Sequence, residues 1–556
     1  MTDFTQDPPR VRNRFLSDLA LRHTLERVLP AEIFAEATSA FTTMGRCAAS
    51  VMPSLADKAE RNPPHHVPYD AWGNRIDDIQ VEDAWLELVR IGQEAGLVAM
   101  PHQAHFGRYA RVVQAGLVNL FDPASAVATC PLVMTDGAAH VLSQHDPELA
   151  SRYVPRLTAR RDAWTAGQWM TEKEGGSDVS RSSTVARPNG DGSWSLHGTK
   201  WFTSATTADV ALALARTENA SEGSAGLSLF LLELRTTDGH WNGIKVRRLK
   251  DKLGTHALPT AELDLVGAIA HPVGELGRGT AKLGGLLNIA RLWASLGGPA
   301  GVGYLLDLAR DYAQRRYTFG SFLCHNPVHQ RWLARIAAEY EAMIALNMEA
   351  ALAIGSAEHG GDTLMSRLLA PLTKLACARE SIWAASELVE SFGGAGYVED
   401  TGIPRVFRNI HVHCIWEGTT SVLAHDVMRV LAHSEYGEAF MADLRRRYAG
   451  ISIDALDGVK ARIDDAIRQL RPMVAQPKTC DARRLAWGMA RTYQALLLAE
   501  AAQWQLSCKL DDRGLVAAEL FARSPLVEAD MSDVPDSMVA GLANGNVADS
   551  ALDIAG

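Results

Sequence analysis

The chain has 556 residues and a mass of 60.3 kDa, which is more than one hydrophobic core fills, so we expect several packed units. Its 47% hydrophobic and 22% charged residues are typical of an ordinary globular protein. No apolar run is long enough to cross a bilayer, and the first residues lack the apolar stretch of a signal peptide. We therefore expect a cytoplasmic protein that does not enter a membrane.

Cysteine usage and net charge exclude further classes of site. The seven cysteines include no CxxC pair and no histidine at metal-ligand spacing, which argues for reduced thiols and against a zinc site. The net charge of −10 gives no overall attraction for nucleic acid. Binding of nucleic acid would therefore need a local basic patch.

Residues 1–165 are predicted to form a helical domain. The segment 81–98 places Trp85, Leu88 and Ile91 at helical spacing, with acidic residues in its first turn. The preceding segment, NPPHHVPYDAWGNRIDD (62–78), is rich in Pro, Gly and Asp and predicts an extended loop. By itself this region indicates no chemistry.

A β-domain is predicted over residues 166–285. Residues 191–217 alternate polar and apolar positions, and 226–235 and 243–249 continue as short strands. At the domain entry, QWMTEKEGGSDVSRSST (168–184) contains a Gly-Gly-Ser turn whose exposed N–H groups can bind a phosphate or carbonyl oxygen. Such a turn is more often only a turn, and both interpretations stay open.

The chain becomes helical again from residue 286, and residues 286–435 predict a helical bundle. A long helical pattern over 287–320 is closed by Gly320, and the next helix is predicted to begin at Pro371 and to stop at Gly393. Arg316, near the end of the first helix, is explained by the helix dipole as a default. Residues 436–523 predict a helical extension, and residues 524–556, acidic without a basic residue, predict a flexible tail.

Two observations bear on nucleotide and nucleic-acid binding. Neither GxxxxGK[ST] nor GxGxxG after a strand occurs, so a P-loop or Rossmann site is not predicted. Between residues 441 and 523, 14 basic against 10 acidic residues give a local balance of +4, densest at Arg445-Arg446-Arg447. A solvated helical face explains such residues more often than a nucleic-acid site does, although both remain possible interpretations.

The most informative stretch is 391–431, which contains Glu417. This carboxylate lies between Trp416 and a Gly418-Thr419-Thr420 turn, where an apolar helical pattern restarts. Burial beside an aromatic side chain raises the pKa of a carboxyl group towards neutrality, so Glu417 is a candidate general base. The alternative is that Glu417 only favours the N-terminus of the next helix, as acidic residues do.

Four motifs in order resemble the acyl-CoA dehydrogenase flavoprotein family: the TEKEGGSD turn, the GTKWFTS strand, the RRYTFG helix end and the GGAGY to IWEGTT segment. NPPHHVPYDAWGNRIDD, RLKDKLG and the C-terminal extension look like the AidB group, named for an adaptive response to DNA alkylation. The resemblance implies an α+β, mostly helical, acyl-CoA dehydrogenase-like fold with an extra helical C-terminal extension. It also implies FAD, held partly by a neighbouring subunit of a homo-oligomer.

The resemblance also implies the roles of individual residues. Glu417 would remove the α-proton of an acyl-CoA thioester while the β-hydrogen leaves as hydride to flavin N5, and its backbone N–H would bind the thioester oxygen. Ser177 would lie at the boundary between flavin and substrate. The implied cofactor-binding residues come from the β-domain and the bundle: Met170, Thr171, Ser177, Phe202, Thr203, Ser204, Arg316, Phe319, Gly393, Gly394, Trp416, Gly418 and Thr419. Departures from the family pattern include Pro327, Glu390 and Asn409 at cofactor-site positions and Trp416 in place of Tyr.

We therefore predict an FAD-dependent acyl-CoA dehydrogenase that passes electrons to an electron-transfer flavoprotein. One alternative is a DNA-binding alkylation-response flavoprotein that uses the C-terminal extension and turns over little substrate. Another is an acyl-CoA sensor that binds its ligand without dehydrogenating it.

Overall fold

The computed structural model describes residues 6–530 and 534–545. Its N-terminal part is helical and contains one two-stranded antiparallel sheet, β1 (His65–Tyr69) and β2 (Arg75–Gln80). The helices of this part are α1 (Arg14–Ser17), α2 (Leu19–Val28), α3 (Ala31–Ser50), α4 (Met52–Arg61), α5 (Asp83–Glu94), α6 (Ala110–Phe121), α7 (Thr129–His145) and α8 (Pro147–Leu157). The helix predicted over 81–98 is therefore confirmed as α5.

The extended loop predicted over 62–78 is wrong, because most of this segment forms the β1–β2 hairpin. The Asp70 carboxylate accepts the N–H groups of Trp72 and Asn74, both at 2.8 Å, and Gly73 supplies the left-handed conformation with φ of 84°. The Asp and Gly residues that suggested a loop thus close a turn between two strands.

The central part is a seven-stranded sheet whose strands are β3 (Ala166–Trp169), β4 (Val185–Pro188), β5 (Trp194–Ser204), β6 (Val210–Thr217), β7 (Leu227–Glu233), β8 (Ile244–Leu249) and β9 (Thr260–Pro272). Pairing runs from β6 through β4, β5, β9 and β7 and returns to β6, so the sheet closes on itself. Strands β3 and β8 extend it by pairing with β6 and β9. Closure protects strand edges. The first six residues of β6 and of β7 are buried in succession, so the alternation predicted over residues 191–217 does not extend to β6.

The third part is a bundle of long helices: α9 (Gly279–Lys282), α10 (Gly284–Arg315), α11 (Pro327–Glu358), α12 (Leu364–Glu390), α13 (Ile403–Val412) and α14 (Thr420–Leu431). Between α10 and α11 lies a small hairpin, β10 (Tyr317–Thr318) and β11 (Ser321–Phe322). Helices α10, α11 and α12 pack on one another and are buried on most of their circumference, as expected at the centre of a bundle.

Two predicted helix ends in this bundle are wrong. Helix α10 ends at Arg315, before the predicted Gly320, because the chain turns into the β10–β11 hairpin, where Gly320 has a φ of 84°. Helix α12 begins at Leu364 and contains Pro371, which was predicted to be its first residue. Proline is favoured at helix starts, but a buried helix also tolerates it inside when tertiary packing compensates the missing hydrogen bond.

The C-terminal extension consists of α15 (Ser434–Ala449), α16 (Asp457–Ala475), α17 (Ala482–Ser507), α18 (Arg513–Ala522) and α19 (Asp536–Asn544). Arg491 of α17 is buried and pairs with Glu339 of α11 and, at 2.8 Å, with Glu380 of α12, so the extension is docked on the bundle. In the part of the chain that the structure describes, no helix has the length and apolar character needed to cross a bilayer.

The predicted flexible tail, 524–556, includes residues 531–533 and 546–556, which lie outside the described residues. Within the described residues Leu526 and Val527 are buried, and Val527 lies against α17 at Gly488. The first residues of the predicted tail are therefore packed against the C-terminal extension. The predicted order of helical domain, β-domain, bundle and helical extension is confirmed, while the domain boundaries at 165, 285, 435 and 523 stay predictions.

Candidate active site

Glu417 lies in the short connection between α13 and α14. Its backbone adopts the left-handed conformation with φ of 55°, and Gly418 follows with φ of 101°. A left-handed residue other than glycine is strained, and such strain is concentrated at functional sites. The N-cap of α14 is Thr419, whose hydroxyl accepts the Val422 N–H at 3.4 Å. Glu417 is therefore not the residue that caps this helix.

The Glu417 carboxylate is partly exposed but lies in surroundings that disfavour charge. Burial raises its pKa above the usual 4.5, although the positive charges of Lys374 and Arg291 act in the opposite direction. Lys374 is itself buried and donates a hydrogen bond from Nζ to the carbonyl oxygen of Gly418. Burial lowers the pKa of the Lys374 ammonium to about 8. Glu417 thus combines a raised pKa with two adjacent cations.

Arg291, the second of these cations, is fixed by a buried carboxylate. Asp426 of α14 binds Arg291 at 2.7 Å, and it also binds Arg367 at 2.7 Å and Arg429 at 2.9 Å. Burial alone would raise the pKa of Asp426, but the Arg367 hydrogen bond and the neighbouring charges lower it to about 2. The carboxylate therefore remains ionised and holds Arg291 beside Glu417.

Cys130, at the start of α7, joins Glu417 to the β-domain. Burial raises the pKa of its thiol to about 12; Lys252 and Ser204 act against this shift, and the Glu417 charge adds to it. The Ser204 hydroxyl also lies 3.1 Å from the Thr260 hydroxyl, which accepts from Lys252 Nζ at 3.1 Å. The N-terminal part, the β-domain and the bundle therefore meet at Glu417.

The segment containing Met170 and Thr171 is anchored next to the strand that carries Ser204. The Trp201 N–H donates to the Thr171 carbonyl at 3.0 Å, and Met170 is buried. Glu172 is buried and pairs with the fully buried Lys200 at 2.6 Å. Thr171 and the segment 202–204 are thus held side by side.

The cofactor-binding residues predicted in the β-domain differ in exposure. Phe202 is half exposed, and Lys250 Nζ lies 4.4 Å from its ring. Thr203 is buried and its hydroxyl donates to the Ala261 carbonyl at 2.8 Å, so this side chain faces the sheet. Ser177 is exposed in its turn. Phe202, Ser204 and Ser177 therefore present side chains that a ligand can reach, whereas Thr203 does not.

The remaining predicted residues form a second group at the C-terminal end of α10. Arg316 donates to the Gln6 side-chain oxygen at 3.1 Å, and Phe319 in the β10–β11 hairpin is 96% exposed. The Tyr312 hydroxyl donates to the Phe392 carbonyl at 3.3 Å, which places the turn at 393–394 on the same side. In that turn Gly393 has a φ of 60°, and a Cβ added at either glycine meets no atom within 4 Å. This turn therefore leaves its backbone open to close approach.

Comparison with family models and with known proteins identifies the family of this chain. Three family models match: the adaptive response protein AidB N-terminal domain at residues 6–162, the acyl-CoA dehydrogenase middle domain at 167–267, and the acyl-CoA dehydrogenase C-terminal domain at 277–432. Acyl-CoA dehydrogenase family member 11 of Caenorhabditis elegans is 37% identical, over 90% of this chain and 86% of the relative. The chain belongs to the acyl-CoA dehydrogenase family.

One further match, together with the AidB N-terminal domain model, places the chain near the AidB group within this family. The putative acyl-CoA dehydrogenase AidB of Escherichia coli K12 is 31% identical and covers 81% of each chain. The crystal structure of C. elegans ACDH-11 in complex with C11-CoA superimposes with a TM-score of 0.93 at 35% identity, covering 97% of each chain. The resemblance seen in the sequence is thereby confirmed.

Members of this family use FAD, and the chain's residues fit that cofactor. The indole Nε1 of Trp416 is a buried donor that no group among the described residues satisfies, and buried donors normally have partners. Exposed aromatic side chains at Phe202 and Phe319 offer apolar surface, and the open turn at Gly393 and Gly394 leaves room for a phosphate. FAD, which joins an apolar ring system to a diphosphate, matches these features.

Several residues around Glu417 were not predicted from the sequence, among them Cys130, Lys374, Arg291 and Asp426. Lys374 interrupts the apolar sequence PLTKLAC, and a lone lysine in a buried helix is a signal for an internal ion partner. Cys130 gives no comparable signal, since its role depends on three parts of the chain meeting in space.

Proposed function

We propose that this protein is an FAD-dependent acyl-CoA dehydrogenase that introduces a double bond between the α- and β-carbons of an acyl-CoA thioester. The observation that carries the proposal is the strained, partly buried Glu417, whose raised pKa suits a general base at neutral pH. The homologous C. elegans protein was solved with C11-CoA, which supports a fatty acyl-CoA as the class of ligand.

In this proposal the Glu417 carboxylate accepts the α-proton of the thioester. The α C–H is a very weak acid, so the developing negative charge on the thioester oxygen needs hydrogen-bond donors. No acceptor for the Glu417 backbone N–H is found among the described residues, so this group is available as one such donor. FAD, when bound, supplies the oxidising power by accepting the β-hydrogen with its electron pair.

The other predicted site residues have binding roles in the proposal. Met170 and Thr171 would contact the isoalloxazine, Phe202, Thr203 and Ser204 would form its wall, and Trp416 would line the cofactor. Ser177 would lie where flavin meets acyl-CoA, and Gly418 and Thr419 would line the cofactor beside the base. Electrons would leave to an electron-transfer flavoprotein.

We further propose that the active form is a homo-oligomer. Phe319 is 96% exposed, Tyr397 is 89% exposed and Val328 is 77% exposed, and exposed apolar residues of this size mark interaction surfaces. Arg316, Phe319, Gly393 and Gly394 lie on this side of the molecule, so FAD bound there would contact two subunits.

The arginine cluster of the C-terminal extension does not favour a DNA-binding function. Arg447 is mostly buried and pairs with Asp443, Glu349 and Glu500, the last at 2.8 Å. Arg446 pairs with Asp443 as well. Because Arg446 and Arg447 already have carboxylate partners, the exposed Arg445 is the one arginine of this cluster without such a partner among the described residues, and a single side chain offers little attraction for phosphate groups.

Anaerobic titration of the FAD-loaded protein with short, branched and long acyl-CoAs tests the proposal. Flavin absorbance at about 450 nm should bleach with one substrate class, and mass spectrometry should find the corresponding 2-enoyl-CoA; general-base loss typically costs 10² to 10⁴-fold, so Glu417→Gln should bleach at least ~100-fold more slowly. Glu438→Gln, the same change at an exposed position of α15, serves as the matched control and should behave as the wild type.

Other outcomes would overturn the proposal in recognisable ways. A flavin spectrum that shifts on binding acyl-CoA without bleaching, equally in wild type and Glu417→Gln, would identify a sensor. Bleaching that persists in Glu417→Gln would move the general base to another residue.

A further inference from the structure

Lys374 is an unusual residue for the centre of a bundle. It lies in the middle of α12 and is 1% exposed, whereas lysine is almost never fully buried unless it is paired. The hydrogen-bond partner of its ammonium group is the Gly418 carbonyl, directly after Glu417. A buried cation with a backbone carbonyl as its acceptor needs a nearby negative charge to offset the cost of desolvation.

Four titratable groups surround this ammonium. The Glu417 carboxylate and the Cys414 thiol favour its charged form, whereas Arg291 opposes it. His413 is buried close by, and burial together with the Lys374 charge lowers the pKa of this imidazole to about 3, so it is neutral at physiological pH. Glu417 is thus the anion that the Lys374 charge faces.

The hydrogen bond also acts on the backbone. Glu417 and Gly418 are two successive left-handed residues, which reverse the chain between α13 and α14. A left-handed residue other than glycine costs roughly 1 kcal/mol or more and persists only when its surroundings hold it. Lys374 holds the carbonyl at the end of this reversal, and the Thr419 cap holds the next residue.

We propose that Lys374 is a positioning residue for the general base: its ammonium fixes the Glu417–Gly418 backbone and places a positive charge beside the Glu417 carboxylate. The inference rests on the proposed function, because it concerns the same base. It assigns Lys374 an electrostatic role that a residue filling space in a bundle would not have.

The test compares Lys374→Met, which keeps the length of the chain without the charge, with Lys374→Arg, which keeps the charge. For each FAD-loaded protein the rate of flavin bleaching by acyl-CoA is measured against pH. An opposite charge near a carboxyl group lowers its pKa by roughly 1 to 3 units, so Lys374→Met should move the rising limb of the profile up by about 1 pH unit. Below that limb the rate should fall about tenfold, and Lys374→Arg should restore the wild-type profile. An unchanged profile in Lys374→Met would overturn the inference.

A second measurement keeps the test independent of turnover. Denaturant unfolding of the wild type, Glu417→Gln, Lys374→Met and the double variant gives a thermodynamic cycle without substrate. We expect coupling at pH 7 and a weaker coupling at pH 4, because protonation of Glu417 removes the negative charge that Lys374 faces. Zero coupling at pH 7 contradicts the inference, whereas coupling in a protein that bleaches with no acyl-CoA rejects only the proposed function. If Lys374→Met does not fold, Lys374→Gln replaces it in both measurements.

Discussion

Asp426→Asn is the substitution whose consequence the structure defines most fully. The Asp426 side chain is 2% exposed and receives hydrogen bonds from three arginines, Arg291, Arg367 and Arg429. An asparagine of the same shape retains one acceptor oxygen but removes the negative charge. Arg291, which is almost fully buried, would then have no anionic partner in this network.

The size of the effect follows from the pKa of Asp426. Its pKa is lowered from the usual 3.8 to about 2, which corresponds to roughly 2.5 kcal/mol of the free energy of unfolding. Breaking a buried ion pair by removing one partner typically costs about 3 to 5 kcal/mol. We therefore expect Asp426→Asn to lose about 2 to 4 kcal/mol at pH 7.

The pH dependence of this loss in unfolding free energy is a more specific test of the Asp426 charge. Because the pKa of Asp426 is depressed by folding, its contribution is present above about pH 4 and is lost as the pH falls towards 2. The difference in unfolding free energy between wild type and Asp426→Asn should therefore be about half as large at pH 3 as at pH 7. Urea unfolding followed by tryptophan fluorescence measures it at both pH values.

A matched control separates this network from general effects of the substitution. Asp454→Asn alters an exposed aspartate and should change the unfolding free energy by less than about 0.5 kcal/mol at either pH. If Asp426→Asn also stays within that range at pH 7, the three arginines do not depend on this carboxylate and the reasoning is wrong.

Two further substitutions probe the elements around the site. Glu172→Gln removes the anion that pairs with the fully buried Lys200 at 2.6 Å, so the free energy of unfolding should fall by roughly 3 to 5 kcal/mol, and a loss under about 1 kcal/mol would contradict this role. Thr419→Ala removes the N-cap of α14 and should cost about 1 kcal/mol in thermal or denaturant unfolding. Thr419→Ser keeps the cap and should remain within about 0.3 kcal/mol of the wild type; equal losses in both variants would exclude capping as the cause.

The sequence predicted the elements in which periodicity and burial agree. Strands β5, β6 and β7 alternate polar and apolar positions or run as apolar segments, and they form where expected. The β1–β2 hairpin escaped prediction because the residues that favour loops, Asp70 and Gly73, are also those that close a tight turn. The end of α10 escaped it because a two-residue strand carries almost no sequence pattern.

The candidate site likewise has a part that the local sequence predicts and a part that only the fold reveals. Glu417 was found because its neighbours match a family motif, and the left-handed backbone that sets it apart from a helix-starting residue is visible only in the structure. Cys130 lies in α7 of the N-terminal part, and Lys374 lies in α12 of the bundle. Both are distant from Glu417 in the sequence, so only tertiary packing brings the three residues together. Local pattern therefore predicts the base, whereas its electrostatic surroundings need the fold.

The most direct test of Glu417 as the base that removes the α-proton is anaerobic stopped-flow bleaching of the flavin by an acyl-CoA deuterated at Cα. We predict that the wild type bleaches more slowly with the deuterated substrate than with the protiated one. Glu417→Gln should bleach at least ~100-fold more slowly than the wild type, as expected when a general base is lost. Bleaching of Glu417→Gln at the wild-type rate, with the same isotope effect, would show that another group removes the α-proton.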